Sequence, residues 1–154
     1  KLKNIMQIFI GGIGCFWDET EYQGVPGIIS TECGYCGGKN SITNYEQVCG
    51  GDTEHIEVVK VSFDPKIISY EDITRLFFKI HDPTTLNRQG PNVGYQYRSE
   101  IFYFSEEEKI SAQKILDETN KKLDGKIVTV IRKIKNYCKA EEYHQKYFEK
   151  RSKR

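Results

Sequence analysis

Residues 5–17 read Ile-Met-Gln-Ile-Phe-Ile-Gly-Gly-Ile-Gly-Cys-Phe-Trp, and this stretch decides how the fold begins. The apolar run that ends at Ile10 predicts a buried strand, closed by two glycines. A helix is expected from about Cys15 to Gln23, ahead of the Gly-Val-Pro at 24–26. The chain therefore opens with a strand and then a helix, and a cysteine lies where that helix begins.

Cys15 has the surroundings of a reactive thiol. Unpaired N–H groups and the positive end of the helix dipole both favour the thiolate, which is the reactive form. Phe16 and Trp17, the only tryptophan of the chain, could form the floor of a site for a small apolar ligand. Free cysteine is also among the most buried residue types, so Cys-Phe-Trp alone is equally typical of a core.

Strand and helix patterns alternate along the rest of the chain. Strands are expected at 27–33, 55–63, 99–104 and 126–134, and the glycine-rich run 34–38 is expected to be a turn or loop. Capping boxes of Ser69 with Asp72 and of Ser105 with Glu108 predict helices that end near His81 and Leu123, and a last helix is expected at 140–150. This order predicts an α/β domain (two-layer α+β) with helices packed on a mixed sheet.

The segment 82–96 is a long irregular loop, and structureless loops of this length in small domains are often functional. The amides of 88–98 suit a polar pocket wall, but they are also ordinary turn formers. Tyr45, Tyr95 and Tyr97 fall in loops, where tyrosine offers an apolar face and one O–H donor. The chain has 10 tyrosines, so any single one is more often packing than chemistry.

Glu57 lies inside the strand pattern 55–63, on the same face as Val59, Val61 and Phe63. If that face is the core side, burial raises the pKa of the carboxyl group, and a neutral acid near pH 7 can donate a proton. In the other register Ile56 and Val58 point inward and Glu57 lies in solvent. The pattern alone leaves both readings open.

Composition excludes several classes of protein. The chain has 154 residues, which fits one domain, and a net charge of +1, which gives no field to attract nucleic acid or an anionic membrane. No apolar run approaches the roughly 18 residues of a membrane span, and the N-terminus lacks a signal-peptide pattern. Five cysteines cannot form a complete disulfide framework. An intracellular, cytoplasmic protein is expected.

Cys33 and Cys36 form a Cys-x-x-Cys pair, a pattern that is typical of both zinc sites and redox dithiols. With Cys49 and His55 they could close a tetrahedral zinc site, although the last two are too far apart to form a second close ligand pair. They could also form a redox dithiol. The glycines near residue 12 fit a dinucleotide loop poorly, because Trp17 stands where a third glycine is needed. No bound metal or cofactor is expected, and the histidines suit capping or core roles.

Ordered blocks along nearly the whole chain resemble the type A peptide methionine sulfoxide reductases. They are Gly14–Trp17, Gly34-Tyr35 with Gly37-Gly38, Tyr45–Cys49, His55–Val59, His81–Thr84, Asn87–Gly90, Gly94, Gln96–Ser99 and Ala140–Gln145. The resemblance implies one reductase domain over 1–154 and a two-layer, ferredoxin-like plait. It also implies thiol-dependent reduction of methionine-S-sulfoxide, free or in proteins, and thus protein repair under oxidative stress.

The resemblance gives the site residues their roles. Cys15 matches the nucleophile, Glu57 the acid that protonates the sulfoxide oxygen, and Phe16 and Trp17 the wall that holds the substrate methyl group. The tyrosines that hydrogen-bond the oxygen match Tyr45 and Tyr97. Asn92 stands where the family usually has an acid that helps to bind the substrate, so a charge is missing there.

The implied reaction turns Cys15 into a sulfenic acid, on the reversible part of the oxidation ladder. Many relatives resolve it with a cysteine in a C-terminal tail, but no cysteine follows Cys138 here. We expect an external thiol (thioredoxin, glutaredoxin or glutathione) to reset the enzyme, with Cys33, Cys36 or Cys138 as the internal alternative. The other partner is the substrate, methionine sulfoxide or an oxidised protein.

Overall fold

The computed structural model describes residues 5–11, 21–39, 44, 47–48, 53–89 and 92–140, with only the backbone at Asn92. The described strands are β1 (Met6–Gly11), β2 (Ile28–Cys36), β3 (Ile56–Phe63), β4 (Arg88–Gln89), β5 (Asn92–Val93), β6 (Glu100–Tyr103), β7 (Val130–Lys133) and β8 (Cys138–Lys139). The described helices are α1 (Tyr70–Ile80) and α2 (Glu106–Lys122), and Tyr95–Tyr97 is a 3-10 turn, η1. None of these helices is long and apolar enough to cross a membrane.

Six strands form one mixed sheet in the order β7-β6-β1-β3-β2-β8. Strands β6 and β7 are parallel, and the other neighbours are antiparallel. The four central strands, β6-β1-β3-β2, have the arrangement of a ferredoxin-like plait. The predicted α/β class with helices on a mixed sheet is confirmed, and β4 and β5 form a separate small hairpin.

Both helices begin where serine N-caps predict. In α1, Ser69 Oγ accepts a hydrogen bond from Asp72 N at 3.0 Å, and Asp72 Oδ2 accepts one from Ser69 N at 3.2 Å, which completes a capping box. In α2, Ser105 Oγ accepts from Glu108 N at 3.3 Å, but Glu108 Oε1 accepts from Phe104 N instead. Both predicted helices and their serine caps are therefore confirmed, but the predicted capping box of Ser105 with Glu108 is wrong, because the Glu108 carboxylate binds the N–H of the residue before the cap.

The sheet is buried on both faces, which explains the near-continuous apolar character of β1 and β3. We call the face against α1 and α2 the helix-side core, which includes Ile8, Ile10, Cys33, Tyr35, Val59, Val61, Phe63, Ile73, Phe77, Ile101, Ala112 and Ile115. The opposite face carries a smaller set, the second core, formed by Phe9, Cys36, Ile56, Val58 and Phe102. Strand alternation places neighbouring residues of one strand in different cores.

The prediction of a turn at 34–38 is wrong for its first three residues, which continue β2 to Cys36. They are held in the sheet by β8, which pairs Gly34 with Lys139 and Tyr35 with Cys138. Gly34 suits this place because the ring of Tyr137 lies on it, so that an added Cβ would come within 2.4 Å of the ring. Local sequence indicated a turn because glycine, read alone, is a strand breaker.

Other boundaries also shift. Strand β7 covers only Val130–Lys133 of the predicted 126–134, and the loop 82–96 contains the β4–β5 hairpin and the start of η1. Of the predicted helix at 15–23, residues 21–22 are helical and 15–20 lie outside the described residues. The predicted helix at 140–150 also lies outside them, apart from Ala140, which is not helical.

Candidate active site

Glu57 is a buried carboxyl group in the middle of the sheet. Its side chain is 3% exposed, and its place on β3 puts it on the helix-side face with Val59. Of the two readings that the alternation leaves open, the structure shows the one in which Glu57 faces the core. The other register is wrong for Glu57 because the sheet is covered on both sides, so Ile56 and Val58 are buried as well, in the second core. Burial disfavours an ionised carboxylate.

The strand that leads to Cys15 ends against Glu57. A Cβ added at Gly11, the last residue of β1, would lie 2.7 Å from the carbonyl oxygen of Glu57. Only glycine allows β1 to approach β3 this closely. Cys15 follows Gly11 by four residues in the chain. Strand β1 therefore ends against the backbone of the residue that carries the buried acid.

Tyr97 is brought to the same strand by η1, which packs against β3. The turn is closed by a hydrogen bond from Tyr97 N to Gly94 O at 3.1 Å. Gly94 has φ of 142°, where side chains are strained, and an added Cβ would meet Gln96 Oε1 at 2.6 Å. Glu57 and Tyr97, which lie 40 positions apart in the sequence, thus belong to neighbouring elements.

The amides of the loop before η1 hold the loop itself together. Asp82 N donates to Gln89 Oε1 at 3.0 Å, and Gln89 Nε2 donates back to the carbonyl oxygen of Asp82. Thr84 N donates to Asp82 Oδ1 at 2.9 Å, and the hydrogen bonds from Thr84 lower the pKa of Asp82. Gln89 is buried and binds its own loop, so its amide acts as a turn former and not as part of a polar pocket wall.

His81 is the centre of a buried hydrogen-bond chain. It caps α1, its Nδ1 contacts the carbonyl oxygen of Phe77, and its Nε2 lies 2.7 Å from Ser99 Oγ. Ser99 Oγ lies in turn 2.7 Å from Thr129 Oγ1. Burial lowers the pKa of His81 to about 4, and the Phe77 carbonyl and the charge of Asp82 oppose that shift. The predicted capping or core role of His81 is confirmed.

Acid should weaken the fold through His81. Its pKa is lower in the folded chain, about 4, than the ordinary 6.5, so protons bind the unfolded chain more tightly. The stability that neutral His81 gives is complete above pH 6.5 and declines as the pH falls toward 4. Between pH 7 and pH 5 the free energy of unfolding should drop by about 2 kcal/mol from this residue.

Urea unfolding at the two pH values measures this effect. The variant His81→Gln serves as the control, because an amide does not titrate, and it should lose most of the difference between pH 7 and pH 5. The same slope in both proteins would assign the acid sensitivity to other groups. The carboxyl groups with lowered pKa, such as Asp72 and Asp82, act below this window.

Cys33 and Cys36 do not face each other. Three positions apart on β2, they lie on opposite faces of the strand, Cys33 in the helix-side core and Cys36 in the second core. Both side chains are fully buried, and burial raises the pKa of Cys36 to about 12. One zinc ion or one disulfide could not take both thiols without opening the strand. Cys138, on β8, is partly exposed and pairs with Tyr35.

Several predicted site residues lie outside the described residues. They are Cys15, Phe16, Trp17, Tyr45 and Cys49. Asn92 is described by its backbone, which pairs with Gln89 in the β4–β5 hairpin and so leads directly into η1. The site that the structure does describe therefore consists of the acid, the turn that carries Tyr97, and the end of β1.

Sequence reasoning missed a buried ionic cluster next to η1. Glu100, the first residue of β6, is fully buried between Arg132 and Arg98. The one available signal was an acidic residue at the start of the otherwise apolar and aromatic run 99–104. The two arginines could not be assigned to it from spacing alone, because one comes from the neighbouring parallel strand β7.

Known proteins match the chain along its whole length. The family model described as peptide methionine sulfoxide reductase matches residues 6–154. The peptide methionine sulfoxide reductase MsrA of Pelagibacter ubique is 55% identical over 147 residues, which are 95% of this chain and 100% of the relative. Mxr1 of Saccharomyces cerevisiae in reduced form superposes with a TM-score of 0.91 at 40% identity, covering 100% of this chain and 90% of Mxr1.

A second yeast structure, of Mxr1 in complex with Trx2, superposes with a TM-score of 0.69 at 28% identity and covers 96% of this chain and 87% of that one. The fold, the buried acid beside the end of β1 and these matches define one class of enzyme, the thiol-dependent oxidoreductases that act on sulfoxides. The chain belongs to the peptide methionine sulfoxide reductase family. It is an enzyme that reduces methionine sulfoxide to methionine and thereby repairs oxidised proteins.

Proposed function

We propose that the enzyme takes the S epimer of methionine sulfoxide, free or protein-bound, with Cys15 as nucleophile and Glu57 as general acid. The observation that carries this assignment is the burial of Glu57 on β3, next to the end of β1, because burial favours the neutral acid that can donate a proton. The Cys15 thiolate attacks the sulfoxide sulfur and forms a bond between the two sulfur atoms, while Glu57 protonates the oxygen, so that the S–O bond breaks and the oxygen leaves as water. A water molecule then attacks the Cys15 sulfur, and methionine leaves with the electron pair of the S–S bond, which makes Cys15 a sulfenic acid.

The remaining site residues hold the substrate. Tyr97, on the turn that packs against β3, donates a hydrogen bond to the sulfoxide oxygen together with Tyr45. Phe16 and Trp17 enclose the methyl group. Asn92 supplies an amide in place of an acid, so that it can still accept and donate hydrogen bonds but brings no charge. The domain comprises residues 1–154.

An external thiol resets the sulfenic acid in this proposal. Cys33 and Cys36 are poor internal resolving thiols, because both are fully buried and because the high pKa of Cys36 leaves almost no thiolate near neutral pH. Of the three resolving cysteines expected from the sequence, Cys138 remains as a candidate, because it is partly exposed. The yeast relative has been solved with Trx2, which supports thioredoxin as the reductant, with glutaredoxin or glutathione as alternatives. Such a cycle suits a reducing compartment such as the cytoplasm.

One turnover without reductant tests this proposal. The enzyme is mixed with excess methionine-S-sulfoxide, trapped with a sulfenic-acid reagent and examined by mass spectrometry and peptide mapping. We expect one methionine per enzyme and a trapped adduct on Cys15. The R epimer should give no product.

The variant Cys138→Ser is the matched control and should give the same yield of adduct. A stoichiometric disulfide between Cys15 and another cysteine in the wild type would overturn the external-thiol cycle. If that disulfide disappears in Cys138→Ser, Cys138 is the resolving residue. Failure to form methionine at all would overturn the assignment of the substrate.

A further inference from the structure

Glu100 is a charged residue in a place that the fold does not require to be charged. Its side chain is 0% exposed, at the start of β6, opposite Gly11 of β1 and Val130 of β7. Burial raises its pKa, and the two neighbouring guanidinium groups oppose the rise. Buried carboxylates are costly unless paired, and apolar replacements of such pairs are often equally stable. Stability alone therefore gives no reason for an acid here.

On one side Glu100 is held by a fixed arginine. Arg132 Nε donates to Glu100 Oε2 at 2.6 Å. The guanidinium group lies over the ring of Phe102, 5.2 Å from its centroid, and against Gly37, where an added Cβ would come within 2.2 Å of Nη2. Arg132 thus has little freedom to move, and the carboxylate is anchored to it.

On the other side Glu100 reaches the turn that carries Tyr97. Arg98 directly follows η1, and its Nε lies 3.4 Å from Glu100 Oε1. The guanidinium carbon of Arg98 lies 4.8 Å from the ring centroid of Tyr95, the first residue of η1, and Arg98 N donates to Tyr95 O. Tyr95 in turn packs against the second core. The carboxylate is therefore paired with Arg98, which follows the three-residue turn that contains Tyr97, and it is linked to the start of that turn only through the contacts of Arg98 with Tyr95.

We propose that Glu100 is a positioning residue that holds η1, through Arg98 and Tyr95, so that the Tyr97 hydroxyl meets the sulfoxide oxygen. The inference rests on the proposed role of Tyr97. Glu100 itself touches no substrate in this proposal. Its charge fixes the planar group of Arg98 over Tyr95, and a turn clamped at both ends has one orientation rather than several.

A double-mutant cycle of Glu100→Gln and Tyr97→Phe tests the proposal. Tyr97→Phe should slow single-turnover reduction. Glu100→Gln should slow it by about 10-fold, because small displacements of a hydrogen-bonding group cost that much or more. The loss should fall in the single-turnover rate at saturating substrate, while the substrate concentration that gives half of that rate stays unchanged. In the double variant Glu100→Gln should add no further loss to that of Tyr97→Phe, since there is no hydroxyl left to position.

Glu118→Gln is the matched control, because it removes another Glu–Arg pair, the one with Arg75 between the two helices, at 3.0 Å. It should leave the rate unchanged. If Glu100→Gln does not fold, Arg98→Lys takes its place in the cycle. It keeps the positive charge but loses the planar group over Tyr95. Its loss of rate should likewise disappear in the Tyr97→Phe background.

The outcomes separate the two proposals. If Tyr97→Phe lowers the single-turnover rate and the double variant loses the product of the two single losses, the positioning role of Glu100 is overturned and the role of Tyr97 stays intact. Tyr97→Phe at the wild-type rate overturns the role of Tyr97, and the positioning proposal with it. A loss in Glu100→Gln that disappears in the Tyr97→Phe background supports the positioning proposal.

Discussion

Replacing Cys15 by serine should abolish sulfoxide reduction, with a fall in the single-turnover rate of at least about 10⁴-fold, as is usual when an essential nucleophile is removed. A serine hydroxyl is far less ionised and less nucleophilic than a thiolate, and no base has been assigned to activate it. The measurement is methionine formed per enzyme without reductant. This loss should be larger than that of Glu57→Gln, because without the nucleophile the first step of the reaction cannot occur.

Two controls make the result specific. Cys33→Ala removes a buried thiol from the helix-side core and should leave the single-turnover rate unchanged. Trp17 is the only tryptophan and is proposed to enclose the substrate methyl group, so the fluorescence of Cys15→Ser should change when methionine-S-sulfoxide is added, which would show that the variant still binds substrate. A serine variant that still forms methionine would assign the chemistry to another thiol, as the reading of Cys33 and Cys36 as a redox dithiol requires.

The elements predicted well are those whose signals are local. The residues that form the alternation in β3 are close together in the sequence, and so are Ser69 and Asp72 of the capping box. Both elements can therefore be predicted from short stretches of sequence. Strand β8 and the strand conformation of Gly34 were not predictable in this way. Both depend on Tyr137 and its neighbours, about a hundred residues along the chain, packing on β2.

Local sequence likewise predicts only part of the candidate active site. Alternation assigned Glu57 to a face of β3, but only the packed sheet shows that both faces are covered and the carboxyl group is buried. The pair Cys33 and Cys36 looked like a ligand or redox pair because spacing does not report the face of a strand. The roles of Cys15 and Tyr97 came from the resemblance, and the link from Glu100 to η1 came only from the tertiary structure.

Glu57→Gln should slow the reductase step at pH 7 by about 10²–10⁴-fold, the usual range for the loss of a general acid. The amide has nearly the same shape and can donate a hydrogen bond, but it cannot transfer a proton as the S–O bond breaks. The burial of Glu57, 3% exposed, leaves little room for water to replace it as the proton donor. The single-turnover rate is the quantity to measure, because reset of the enzyme by a thiol does not enter it.

The stability of Glu57→Gln separates a catalytic role of Glu57 from a structural one. The reductase rate should fall while the midpoint of urea unfolding stays close to that of the wild type, because the amide keeps the size and the burial of the side chain. Glu32→Gln is the matched control, because Glu32 lies on the neighbouring strand and accepts a hydrogen bond from Tyr137 at 2.6 Å, on the opposite face. An unchanged rate in Glu57→Gln would remove this residue from the mechanism, because the amide cannot transfer a proton and the proton would then have to come from another group.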